Sequence, residues 1–277
     1  MINLMLITND PDLASFAVES GIQRIFVDLE INGKKARQGH LDTLISNHSF
    51  QDIASVRAAI PSGELLVRLN PFYKGSAAEI EEAIEAGADI LMLPMFTRLE
   101  EIQGFVRLID NRCRFIPLIE TPEAVALVGE LVAEPGVDEL YVGLNDLHLS
   151  LGLEFMFQLV TDGTVERIAN VCREHLMPFG FGGIARMDEG LLPGRLVLAE
   201  HCRLGSSAVI LSRTFHRSAT RLSEMRQNLD FAREVSRFRE VETTMNLRDT
   251  TKILADYESL KVGVGKVLEH VRRVIQK

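Results

Sequence analysis

Short runs of Val, Ile, Leu and Phe recur roughly every 25–40 residues along the chain, with stretches of helical apolar spacing between them. Runs this continuous suit strands buried on both faces, which is what a parallel sheet demands. Eight candidates stand out: Leu4–Thr8, Arg24–Leu29, Leu65–Asn70, Ile90–Pro94, Phe115–Glu120, Glu139–Gly143, Pro178–Gly182 and Ser207–Leu211. Alternating strands and helices predict a parallel sheet with right-handed crossovers. A count of eight favours closure into a (β/α)8 TIM barrel over an open sheet.

Helix-start and helix-stop signals fall between these runs. Asp10-Pro11 places a cap before a proline at the first helical position, and Thr121-Pro122 repeats the pattern after the fifth run. Thr97 with Glu100 reads as a capping box. Ala86-Gly87 and Pro135-Gly136 read as helix ends. Past about residue 214 the strand pattern stops, and residues 218–239 and 249–275 are expected to be helical. The predicted organisation is a catalytic barrel over residues 1–215 with an extended helical C-terminal arm over 216–277. That arm either adds packing to the barrel or docks on a neighbouring subunit in a homo-oligomer.

Composition narrows the function classes. With 46% hydrophobic and 25% charged residues the chain can bury a sizeable core. A net charge of −9 without a Lys/Arg run disfavours nucleic acid and anionic membranes as partners. Cys113, Cys172 and Cys202 are scattered, as expected of reduced thiols in a cytoplasmic protein rather than a disulfide frame or zinc site. The opening Met1–Ile7 run is too short for a signal peptide and lacks a basic leader. No stretch approaches the roughly 20 apolar residues of a membrane helix.

In a barrel of this kind the chemistry sits at the C-terminal ends of the strands. Those positions hold Asp28, Glu30, Arg68, Asn70, Glu120, Asn145 and Asp146. Ionisable groups closing apolar strands call for partners or a metal. Hard cations such as Mg²⁺ prefer carboxylate and water oxygens, so Glu120 and Asp146 are candidate ligands. Arg68 has the planar fork that clamps a substrate carboxylate. A 2-oxo acid would present both a carboxylate and a carbonyl there. The competing reading is ordinary strand-end capping, with Arg68 as a salt-bridge partner of Glu30. The seven histidines show neither HxH nor HExxH spacing, which argues against zinc.

Several segments go beyond generic barrel pattern. Val27-Asp28-Leu29-Glu30 followed by Lys34-Lys35-Ala36-Arg37 resembles the second-strand motif of citrate lyase β-subunits and their relatives. Val67-Arg68-Leu69-Asn70-Pro71 resembles that family's arginine motif, and Ala86–Pro94 its fourth strand. Leu118-Ile119-Glu120-Thr121 and Gly143-Leu144-Asn145-Asp146-Leu147 through Gly152 resemble its metal motifs. The resemblance spans roughly residues 2–215 and takes in the hydroxy-oxo-heptanedioate aldolases of the phosphoenolpyruvate/pyruvate barrel superfamily. It implies a metal-dependent carbon–carbon lyase acting through an enolate of a pyruvate-like or acyl unit. It also implies Mg²⁺ or Mn²⁺ on Glu120 and Asp146, with a small carboxylate (a 2-oxo acid or an acyl thioester) held by Arg68, Gly143, Asn145 and Asp146. Glu30 would be an acid near the metal.

Two departures bear on the chemistry. Ile31 stands where aldolases of this kind carry histidine and citrate-lyase-type members aspartate, and Pro94-Met95 replaces a usual Pro-Lys. The acid–base group is therefore sought among His48, His40 and His148, or in a metal-bound water. Arg37-Gln38 is a further substrate-contact candidate. Gly180, Gly182 and Gly183 raise a phosphate-loop reading, but without an adjacent Lys or Ser/Thr they are better explained by tight packing or close substrate approach. Two other functions stay open: a phosphonate or phosphoryl enzyme of the same superfamily, and a non-catalytic binding or scaffold barrel.

Overall fold

The computed structural model describes residues 1–32, 48–190 and 192–275. Eight parallel strands close into a barrel in chain order. They are β1 (Asn3–Ile7), β2 (Arg24–Asp28), β3 (Glu64–Arg68), β4 (Ile90–Leu93), β5 (Arg114–Ile119), β6 (Leu140–Val142), β7 (Phe179–Ile184) and β8 (Ala208–Leu211). Each expected run is a strand, with ends displaced by no more than two residues.

The crossovers carry α1 (Pro11–Glu19), α2 (Phe50–Ala59), α3 (Ser76–Glu85), α4 (Leu99–Ile109), α5 (Pro122–Ala126), α6 (Val128–Leu131), α7 (Leu144–Ser150), α8 (Gln158–Thr161), α9 (Thr164–Glu174) and α10 (Gly194–Leu204). Asp10 caps α1 by accepting the amides of Asp12 and Leu13, and Thr121 caps α5 by accepting that of Ala124. The expected Thr97–Glu100 box is displaced by one residue. Because α4 begins at Leu99, Glu101 holds the third helical position and accepts the Thr97 and Arg98 amides at 2.8 and 3.2 Å. Gly87 leaves α3 at φ 100°, as expected. Pro135-Gly136 ends no helix, since α6 has stopped at Leu131; the pair forms the turn into β6.

The arm comprises α11 (Leu222–Asn228), α12 (Phe231–Asn246) and α13 (Thr250–Ile275). The single helix expected over 218–239 is broken at Leu229, which is extended. Asp230 then restarts the chain as a cap, accepting the Arg233 amide. α12 and α13 pack on α10, and α11 packs on α1. The arm also grips the barrel floor, where Glu242 accepts the Ile2 amide at 2.6 Å and Arg239 donates to the Ile2 carbonyl at 2.8 Å. No helix among the described residues is long and apolar enough to cross a membrane.

Inside the barrel the period of two sorts side chains into layers. The floor is ionic: Arg24 pairs with Glu64 and Glu139 at 2.7 Å each, and Arg114 with Glu64 at 2.8 Å. Above it lies an apolar layer built of Met5, Phe26, Leu66, Ile90, Met92, Ile116, Leu118 and Tyr141. Each such side chain, fully buried, contributes roughly 1.5–3 kcal/mol relative to exposure. Two residues further along β2, β3 and β5 come Asp28, Arg68 and Glu120, at the mouth. The alternation that buries Phe26, Leu66 and Leu118 therefore places those three charges together on one rim.

Candidate active site

A cavity of about 620 Å³ opens at the C-terminal ends of the strands. Asp28, His48, Arg68, Glu120, Gly143, Asn145 and Asp146 all line it, so most positions expected from sequence converge on one space. Glu30 does not line it. This buried residue (1% exposed) stands behind Arg68, 3.4 Å from Nη2.

The register of β2 against β3 sets Asp28 opposite Arg68. Arg68 donates through Nε and Nη2 to the two Asp28 oxygens, each at 2.9 Å. Burial alone would lower the arginine's pKa, but Asp28 and Glu30 outweigh it and raise the value, so the guanidinium is permanently charged. The pair also fixes the plane of the fork. Nη1 has no acceptor among the described residues and remains available to an incoming anion.

His48 sits just before α2, and its Nδ1 accepts the Asp28 amide at 3.0 Å. A nitrogen that accepts a backbone N–H carries no proton, so the neutral ring holds its proton on Nε2. In this arrangement Nδ1 of His48 is taken up by a backbone N–H and is not a base. Asn70 anchors the neighbouring backbone: Oδ1 accepts the amides of Ile31 and Asn32 at 2.9 Å, while Nδ2 donates to Glu79 at 2.8 Å. Ile31 itself is exposed.

Across the mouth, Glu120 accepts the Met95 amide at 3.0 Å through Oε1. Met95 holds φ 54°, a left-handed conformation uncommon outside glycine, and its amide is thereby turned onto the carboxylate. The other oxygen, Oε2, lies over Gly143, where a Cβ would come within 2.7 Å of it. Glycine leaves that space open. Gly143 caps α7, whose first turn supplies Asn145 and buried Asp146. First-turn N–H groups have no intrahelical acceptor, which suits the helix end to an anion.

This donor set fits a hard divalent cation. Two carboxylates from different elements meet at a site with room for water and substrate oxygens, the way Mg²⁺ is ordinarily held. Among the described residues no three of His, Cys, Asp and Glu converge into a cage.

A family model described as HpcH/HpaI aldolase/citrate lyase matches residues 2–156, more than half of the chain. The chain belongs to the HpcH/HpaI aldolase/citrate lyase family. No curated protein matches it. Solved structures share its fold across most of both chains. An HpcH/HpaI aldolase from Desulfitobacterium hafniense DCB-2 is 16% identical with a TM-score of 0.61, covering 89% of this chain and 94% of that one. An HpcH/HpaI aldolase/citrate lyase family protein from Burkholderia cenocepacia J2315 is 19% identical with a TM-score of 0.61, covering 84% and 95%. Citrate synthase SbnG is 17% identical with a TM-score of 0.59, covering 86% and 94%.

Within this HpcH/HpaI chain some expected positions stand elsewhere. His148 does not line the cavity; its Nδ1 contacts the Leu144 carbonyl at 3.1 Å along α7, and burial lowers its pKa. His40, Arg37, Gln38, Lys34 and Lys35 lie outside the described residues. Gly180 is required by packing, since a Cβ there would meet the Ala208 carbonyl and the Tyr141 ring at 2.6 Å. Gly182, at φ 53°, is pressed against Leu144.

Other cavity residues were missed by reading the sequence. Tyr141 donates to the Gly182 carbonyl at 2.5 Å and accepts the Ile210 amide at 3.0 Å, bridging the register shift between β7 and β8. Ser212, Arg213 and His216 form a further wall. Their signal was available, for Ser212-Arg213-Thr214 is a polar strand end directly after β8.

Proposed function

We propose that this chain is a divalent-metal-dependent carbon–carbon lyase that cleaves or forms a bond next to the carbonyl of a 2-oxo acid. The observation that carries this reading is the charge at the rim. Glu120 and Asp146, two carboxylates from different parts of the chain, line the same cavity as Arg68, a donor set suited to a hard cation beside a carboxylate-binding guanidinium. Glu120 and Asp146 would hold Mg²⁺ or Mn²⁺, which supplies Lewis-acid stabilisation for charge developing on the carbonyl oxygen. Arg68 binds the substrate carboxylate through Nη1, and the first turn of α7 at Asn145 and Asp146 orients it. Asp28 and Glu30 keep Arg68 charged and planar.

In the cleavage direction the C3–C4 bond of a 4-hydroxy-2-oxo acid breaks and its electron pair stays with C3. The hydroxyl proton passes to water as the aldehyde forms, and C3 is then reprotonated. We place the enzyme in the cytoplasm, in line with three free thiols, Cys113, Cys172 and Cys202. We further assign it a homo-oligomer, supported by exposed Leu254 and Val262 along α13.

The test is proton exchange at the methyl group of pyruvate in D₂O with Mg²⁺ or Mn²⁺. Exchange is expected to need the metal and to be lost in Glu120→Ala. Exchange that survives both chelation and this substitution would overturn the reading.

A further inference from the structure

The rim chemistry occupies one side of a cavity of about 620 Å³, far more than a three-carbon acid fills. The opposite wall is built from the end of β7 and the loop after β8, and it differs in character. Gly183 leaves open space there, for a Cβ would only reach ordinary contact with Ser212 at 3.6 Å. Beside it, Ser212 and Arg213 face the cavity. Unlike Arg68, Arg213 has no carboxylate or other acceptor among the described residues, so this wall carries an uncompensated positive charge. Below it His216 is 6% exposed, and its Nδ1 has no hydrogen-bond partner among the described residues. A buried polar atom left unpaired is destabilising, a cost that a ligand or an ordered water would remove.

The wall is held in place. Arg186, itself buried, donates through Nη1 to the carbonyls of Thr214 and Phe215 at 2.7 and 2.9 Å, and its other end pairs with Glu189. Arg217 and Ser218 follow at φ 52° and 57°, so the chain turns back sharply toward Thr220, which also lines the cavity. Burial lowers the pKa of His216 to about 4, with a smaller contribution from the charge of Arg213, so the ring is neutral near pH 7 and Arg213 lies close to it.

Gly183, near the end of β7, thus has in three dimensions the hydroxyl and cationic neighbours that it lacks in sequence. Barrels frequently seat a phosphate at the loops after strands seven and eight. We propose that Gly183, Ser212, Arg213 and His216 form a second subsite that holds the phosphate group of a phosphorylated substrate. This rests on the lyase reading for its meaning, since it places the phosphate on the fragment beyond the bond that breaks. A phosphate monoester suits the wall because its oxygens can engage a guanidinium, a hydroxyl and an imidazole at once.

The experiment uses the full chain without added divalent cation, with inorganic phosphate as the probe. Phosphate is expected to raise the melting temperature by mass action and to broaden its own ³¹P resonance. Arg213→Gln, a change at an exposed side chain, is expected to weaken binding tenfold or more, and Arg213→Lys to lie between. Malonate at equal concentration is expected to protect less. With turnover, glyceraldehyde 3-phosphate is expected to exceed glyceraldehyde as pyruvate acceptor in kcat/KM by at least tenfold, a preference lost in Arg213→Gln. Phosphate binding that is undiminished in Arg213→Gln, or matched by malonate, would overturn the proposal. Loss of the lyase reading shows instead in the pyruvate exchange assay, which needs no phosphate.

Discussion

Gly143→Ala probes the metal corner with a single methyl group. The backbone there, at φ −80° and ψ 83°, does not need glycine. The added Cβ would sit 2.7 Å from Glu120 Oε2 and 3.0 Å from Glu120 Cβ, while ordinary contact begins at 3.4 Å. The carboxylate must therefore retreat by about 0.7 Å, and the Met95 amide on Oε1 opposes the movement. Misplacement of reacting groups by about 1 Å costs on the order of 100-fold in rate. Disturbing the support of a metal ligand costs about 10–100-fold in affinity. The expected outcome is Mn²⁺ binding weakened about 10–100-fold by titration calorimetry, with a matching fall in pyruvate exchange, or about 1.4–2.7 kcal/mol. Stability should hardly change, because Gly→Ala restricts the unfolded chain by about 0.4–1 kcal/mol and offsets the local crowding. Mn²⁺ affinity and exchange within twofold of the wild type would refute the reasoning.

Tyr141→Phe leaves the Gly182 carbonyl and the Ile210 amide without their shared partner. At about 1–3 kcal/mol per unsatisfied group, and with both groups only partly buried, a loss of about 2–3 kcal/mol is expected in urea unfolding. Asp28→Asn exchanges an acceptor for an amide against the Arg68 fork; breaking such a pair is expected to cost about 3 kcal/mol and to raise KM for pyruvate more than it lowers kcat. His201 is fully buried, stacks on Phe181 at 3.7 Å, and has its pKa lowered by burial to about 3. Below the unfolded value of about 6.5 only the unfolded chain takes up this proton, so stability falls with pH from about 6.5 toward 3, by about 2 kcal/mol at pH 5. His201→Phe is expected to flatten that slope in melting curves recorded from pH 7 to 4. Saturating Mn²⁺ is expected to raise the melting temperature of the wild type and not of Glu120→Ala.

The eight strands and their mouth positions were legible because parallel barrel strands are apolar on both faces and stop at polar residues. Asp28, Arg68 and Glu120 could be found by that rule alone. Helix boundaries were read less well where two local signals competed: Glu101 overrode Glu100 as the capping acid, and Asp230 restarted a helix inside one apolar stripe. The same strand-end rule, carried through to β8, would have reached Ser212 and Arg213 as well.

Local sequence determines which residue type ends each strand, because alternation and capping act over a few positions. Partners are decided by register and closure. Arg68 is shared between Asp28 and Glu30, but the β2–β3 register gives Asp28 the bidentate bond and leaves Glu30 behind it. The proton of His48 is placed by the Asp28 amide, 20 residues away in the chain. The wall of Gly183, Ser212, Arg213 and His216 exists only because the barrel closes β8 against β7. Such long-range contacts depend on the path of the whole chain, and no local pattern encodes them.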